Sequence, residues 1–136
     1  MNENEAKALY SEFMAAQEHA QTLENHRTAL TNQLKSIEET QAVIDALENL
    51  HEDTAAWIPI APGAYAKATL HKNAPILLNV GAGTAVEKQP ADVRTTLSEH
   101  HATLQELHEG ATEELQTIVT QLDAIRSRVE RAQPKS

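Results

Sequence analysis

The sequence contains no cysteine, and aromatics make up only 3% of it, namely Tyr10, Phe13, Trp57 and Tyr65. The first absence excludes a disulfide framework and any thiolate metal site, and it suits a reducing compartment. The second leaves a chain of 136 residues without the bulky side chains that fill a conventional globular core of that length. No apolar run approaches the roughly 18 residues of a membrane span. Met1 is followed by a polar, acidic stretch rather than a basic segment and an apolar core, so neither a spanning helix nor a secretory leader is expected, and a cytoplasmic location is. Positive charge is scarce too. Lys and Arg number 11 against 20 Asp and Glu, a formal net charge of −9, which argues against general binding to DNA or RNA. Glycine and proline are missing from Glu5 to Leu50, which leaves good helix formers in control of that stretch.

What is present is a seven-residue period. Leu9, Ala16, Leu23, Leu30, Ile37 and Ile44 form one series, and Leu97, Leu104, Ala111, Ile118 and Ile125 form another. Such a period marks helices that pair along a single seam, because 3.5 residues per turn keeps one stripe facing the partner. The first helix is expected to be a rod of about 65–70 Å at 1.5 Å per residue. Folded back on the second, it places Ile44 opposite Leu97, Ile37 opposite Leu104, Leu30 opposite Ala111, Leu23 opposite Ile118 and Ala16 opposite Ile125. A second column reads Phe13, Ala20, Arg27, Leu34, Gln41 and Glu48. For Arg27 two readings stand: a charge on the seam edge with its head in water, or an ion pair across the hairpin to Glu114 that fixes register. Gly110, inside the second helix, marks either simple tolerance or a close approach of the partner helix.

The segment between the helices alternates. Trp57 to Ala61 reads as a strand stopped by Pro62-Gly63. Ala64, Ala66, Ala68 and Leu70 then share one face of a second strand while Tyr65, Lys67 and Thr69 share the other. His71 to Pro75 is a polar loop, Ile76 to Val80 is a third strand, Gly81-Ala82-Gly83 breaks it, and Thr84 to Lys88 is a fourth. This region carries three lysines against one glutamate, a local net of +2, so the helices and tails hold about −11. Two successive hairpins have no core of their own, and their unpaired edges call for strands from other chains. Pro90 and Asp92 open the second helix, while Arg126, Arg128 and Arg131 followed by Pro134 close it.

Chemistry is hard to find. Glu48 and His51 have the Glu-x-x-His spacing of di-iron bundles, but one copy is not a site. His101 and His108 are seven apart, a poor chelating distance, and the histidines read as solvated or seam-edge groups. There is no phosphate-binding loop, and Gly81-Ala82-Gly83 lacks the rest of a dinucleotide fingerprint. Ser11, Ser36, Ser98, Ser127 and Ser136 stand in helices or tail without an activating turn. No cofactor, metal or enzymatic activity is expected.

The order helix, two hairpins, helix, with Trp57-Ile58-Pro59-Ile60, then Gly63-Ala64-Tyr65-Ala66-Lys67-Ala68, then Val80-Gly81-Ala82-Gly83 leading to Val86-Glu87-Lys88, resembles the alpha subunits of archaeal prefoldin. The resemblance covers the whole architecture, and its specific part is the β stretch. It implies a single α+β domain over 1–136: an antiparallel coiled-coil hairpin of helices at 5–52 and 91–131, joined by two β-hairpins at 57–88. In an assembly of two alpha and four beta subunits, the hairpins would form a β-barrel platform through Trp57, Ile58, Ile60, Tyr65, Ala66, Ala68, Leu70, Ile76, Leu78, Val80 and Val86. It further implies an ATP-independent holdase whose arm tips, here Leu9, Tyr10, Phe13, Met14, Ile125 and Val129, capture unfolded client proteins and deliver them to a group II chaperonin. Tyr10, Met14 and Val129 are the better candidates, since Leu9, Phe13 and Ile125 also suit the seam. The rival reading is a structural coiled-coil scaffold that binds no client, and a metal-dependent helix-bundle enzyme is a remote third.

Overall fold

A computed structural model of the chain describes residues 2–132, so Met1, Pro134 and Ser136 lie outside the described residues. Helix α1 spans Glu3–Glu48, strands β1 to β4 span Thr54–Ala61, Ala64–Leu70, Ile76–Gly81 and Thr84–Lys88, and helix α2 spans Pro90–Ala132. This is an α+β chain of two long helices and two antiparallel hairpins. The first strand begins at Thr54 rather than Trp57, and α1 stops at Glu48, earlier than the helical composition alone suggests.

Local chemistry sets these limits. Asn2 and Glu5 form a reciprocal cap at the start of α1, with the Glu5 N–H donating to Asn2 Oδ1 at 2.8 Å and the Asn2 N–H to Glu5 Oε2 at 3.4 Å. At the start of α2 the Gln89 carbonyl accepts from the N–H groups of Asp92 and Val93 at 3.0 and 3.1 Å, and Pro90 supplies a first turn that needs no donor.

The chain divides into two compact units, Met1–Leu34 with Thr103–Ser136, and Lys35–Ala102. In the first, Leu9, Leu23 and Leu30 of α1 and Leu104, Ala111, Ile118 and Ile125 of α2 are buried, while Phe13, Ala16, Ala20, Arg27 and Leu34 are half-covered. Burial therefore follows the seven-residue columns. Arg27 donates to Glu24 on its own helix at 2.9 Å, and Glu114 faces His19 at 3.6 Å. Of the two readings of Arg27, the cross-hairpin pair with Glu114 is therefore not formed, because a partner three residues away satisfies the guanidinium without spanning two helices. Nothing lies within 4 Å of a Cβ built on Gly110, which removes a close helix approach as its explanation.

In the second unit Ile37, Ile44 and Val93 are buried. Val93, rather than Leu97, is the most buried side chain, at 1% exposure, and Leu97 is only half-buried. Val93 lies four residues before Leu97, one turn earlier on the same side of α2. Arg94 holds Asp45 at 2.6 Å and Glu48 at 2.7 Å. α1 has no basic residue in its last turn, so Arg94 supplies from α2 the positive charge that the carbonyl end of α1 lacks.

The hairpins form two separate two-stranded sheets, β1 with β2 and β3 with β4. Trp57 opposes Lys67 and Ile58 opposes Ala66 in the first, while Leu78 opposes Val86 in the second. Both carry a register shift just before the turn, between Pro59 and Ala61 and between Asn79 and Gly81. Ile60 and Val80 are therefore the extra residues of two bulges, and bulging takes each off the alternation of its strand. The second turn holds Ala82 at φ 54° and Gly83 at φ 71°, the left-handed pair of a type I′ turn.

Candidate functional site

Two apolar surfaces stand out, and each is built from a different period. On the first hairpin the period of two puts Trp57, Pro59, Tyr65 and Lys67 on one face and Ala56, Ile58, Ala66 and Ala68 on the other. Ala56, Ala64, Ala66, Ala68 and Leu70 are half-buried, whereas Trp57 is 68% and Tyr65 61% exposed. On the second hairpin Ile76, Leu78 and Val86 are half-buried and Leu77 is exposed. The two bulged aliphatics, Ile60 at 69% and Val80 at 56% exposure, lie open beside the turns. Each strand also has one edge without a hydrogen-bonded neighbour among the described residues. Apolar faces together with open edges are a surface for further strands. Leu77 was not among the residues picked from sequence, although its place in an aliphatic run was signal enough.

The second surface lies on the unit that carries the chain ends. There the seam takes Leu9 and Ile125, both buried at 6% and 4% exposure, so neither is offered to solvent. Phe13 and Val129 are half-buried. Tyr10, 65% exposed, and Met14, 45% exposed, are four residues apart and share one side of α1. They border an open shallow groove with Ala15, Gln17, Glu18 and Gln21. An aromatic and a thioether side by side give an adaptable contact surface without a fixed shape.

Among the described residues no group of three or more His, Cys, Asp or Glu is placed to hold a metal ion, and no polar or charged residue is buried. The Glu48 carboxylate, half of the Glu-x-x-His spacing, is held by Arg94. One carboxyl stands out. Asp53 accepts from His71 Nδ1 at 3.0 Å and from the Lys72 N–H at 3.1 Å, and these two hydrogen bonds hold it below the usual carboxylate range. It thereby ties the segment before β1 to the loop after β2. No described helix is long and apolar enough to cross a membrane.

Seam-paired helices joined through two open-edged hairpins define a coiled-coil subunit built for assembly. The prefoldin subunit family matches residues 16–135, and the chain belongs to that family. It is similar to prefoldin subunit alpha of Methanoculleus marisnigri, 29% identical over 131 residues, which cover 90% of this chain and 85% of that one. Its fold is similar to that of a filamentous PFD from Methanocaldococcus jannaschii solved by cryo-EM, with a TM-score of 0.69 and 11% identity over 90% of this chain and 98% of the other. The chain is an alpha-like prefoldin subunit; prefoldin proteins are chaperones rather than enzymes, and membership implies assembly with other prefoldin subunits.

Proposed function

We propose that this chain is the alpha-type subunit of a cytoplasmic prefoldin, an ATP-independent holdase that captures non-native proteins at the ends of its helical pair and passes them to a group II chaperonin. Two alpha chains join four beta subunits through the hairpin residues, from Trp57, Ile58 and Ile60 through Tyr65, Ala66, Ala68 and Leu70 to Ile76, Leu78, Val80 and Val86, which close into a β-barrel platform. The observation that carries this reading is the exposure of Tyr10 and Met14 on a helix end whose seam is already closed by Leu9 and Ile125. Large apolar side chains that no seam requires are free to meet apolar segments of unfolded chains, with Val129 and Phe13 at the rim.

The test is light scattering from a chemically unfolded protein diluted into this chain alone, into a mixture with a prefoldin beta subunit, and into the same mixture carrying Tyr10→Ser and Met14→Ser. The expected result is suppression of aggregation by the unmodified mixture, at least several-fold weaker with the double variant, while size-exclusion profiles of the two assemblies coincide. Equal suppression by both would remove Tyr10 and Met14 from the client surface. An assembled mixture that suppresses nothing would make the chain a structural scaffold.

A further inference from the structure

The two hairpins carry charges of opposite sign on their exposed faces. On the first, Trp57 is opposite Lys67 and Pro59 opposite Tyr65, and alternation puts all four on one face. On the second, Leu77 is opposite Glu87 and Asn79 opposite Ala85, again on one face. These residues are exposed, whereas Ala66 and Ala68 of the first hairpin and Leu78 and Val86 of the second, on the opposite faces, are half-buried. Lys67 is the only charged residue of β1 and β2. Glu87 is the only one on the exposed face of β3 and β4, since Lys88, opposite Ile76, lies on the other face. Neither the Lys67 nor the Glu87 side chain makes an ion pair or hydrogen bond among the described residues. We propose that the exposed face of the first hairpin packs on the exposed face of the second hairpin of another copy of this chain, with Lys67 against the partner's Glu87.

Bulk matches as charge does. Trp57, Pro59 and Tyr65 make the first face large, while Asn79 and Ala85 leave room beside Leu77 on the second. Stacked sheets lie about 10 Å apart, a gap that the stems of a lysine and a glutamate bridge from its two sides. A strand that closes into a barrel turns one face inward and the other to solvent, and a lone charge in each exposed face marks it as the outward one. This pairing therefore leaves the half-buried faces and the open edges to the platform. The occupant is a second copy because one chain carries both halves, a lysine among aromatics and a glutamate among small residues, and offers both in each pairing. Acidic residues are concentrated in the helices, which repel one another between copies, so copies approach most readily hairpin to hairpin. A single lysine beside a glutamate-bearing hairpin is no surface for nucleic acid.

Trp57 is the only tryptophan of the chain, so its emission reports on this face alone. The full chain is followed through a dilution series by sedimentation velocity and by tryptophan emission, with circular dichroism to show equal helix content in every variant. In the native chain the emission shifts to the blue as the chain associates and returns on dilution. Lys67→Glu and Glu87→Lys each raise the concentration needed for association by about five- to ten-fold. An equal mixture of the two variants, or both changes in one chain, restores it. Glu87→Lys separates this pairing from a general effect of charge: it makes the chain less acidic, so relief of repulsion alone would tighten association where the pairing weakens it. Lys72→Glu, the same change of charge in the loop after β2, leaves association in place. No shift with concentration in the native chain, or a shift that Glu87→Lys leaves unchanged, overturns the proposal. A shift that needs an added prefoldin beta subunit gives the face to that subunit and overturns it too. The pairing does not depend on client capture, which the scattering assay reads separately.

Discussion

Ala82 is a residue in a conformation that its side chain resists. At φ 54° its Cβ crowds the following carbonyl, a cost of about 1–2 kcal/mol that glycine escapes and asparagine largely escapes. Gly81 and Gly83 beside it also have positive φ, as does Gly63 in the turn of the first hairpin, and Asn79 Oδ1 accepts the Gly81 N–H at 3.0 Å. Ala82→Asn should therefore stabilise the second hairpin by about 0.5–1 kcal/mol, read as a higher melting temperature, with Ala85→Asn in the adjoining strand giving no such gain. The turn itself was legible in Gly81-Ala82-Gly83, yet its type was not, since a flanked alanine does not announce a left-handed conformation. The cap at Asn2 is signalled by the Asn-x-x-Glu spacing, which starts the helix ahead of the Gly- and Pro-free stretch from Glu5.

For the helices, the seven-residue columns carried most of the information, because a buried seam constrains every seventh position independently of what surrounds it. Leu23, Leu30, Ile37, Ile44, Leu104, Ala111, Ile118 and Ile125 are buried as that period requires. It failed at the start of α2, where Val93 rather than Leu97 is buried, since a helix end answers to its cap as well as to its seam. It failed also for Arg27, where the choice between a local and a distant carboxylate depends on side-chain reach and not on register. The same register placed Arg94 beside Asp45 and Glu48, so that contact was readable though unread. The difference between seam and rim is measurable. Ile118→Ala should cost about 2–4 kcal/mol in chemical denaturation, through lost burial and the cavity left behind. Arg94→Met should cost about 1 kcal/mol, since Arg94 and Asp45 are about half exposed and water screens their attraction, while the more covered Glu48 loses its cation.

At the scale of the molecule, the sequence made the α+β architecture plain because two incompatible periods, seven and two, occupy separate stretches without mixing. The hairpin faces were legible from alternation, apart from Ile60 and Val80, because a bulge adds a residue that alternation has no place for. The exposure of Tyr10 and Met14 was less accessible: telling a seam position from its neighbour requires the columns to be assigned first, and only then do Leu9 and Ile125 separate from the client-facing candidates.

The regularity of the columns has one more consequence, for how such a molecule changes size. Removing 24–30 from α1 together with 111–117 from α2 deletes one repeat from each helix and leaves every remaining column in phase. That variant should stay helical and cooperative in its melt. Removing six residues from each instead turns the apolar stripe away from its partner and should broaden or abolish the transition. Growth and shortening of this protein are thus quantised, in steps of about 10 Å of helix, so that longer or shorter related chains would differ by whole repeats, much as a ladder is lengthened by rungs.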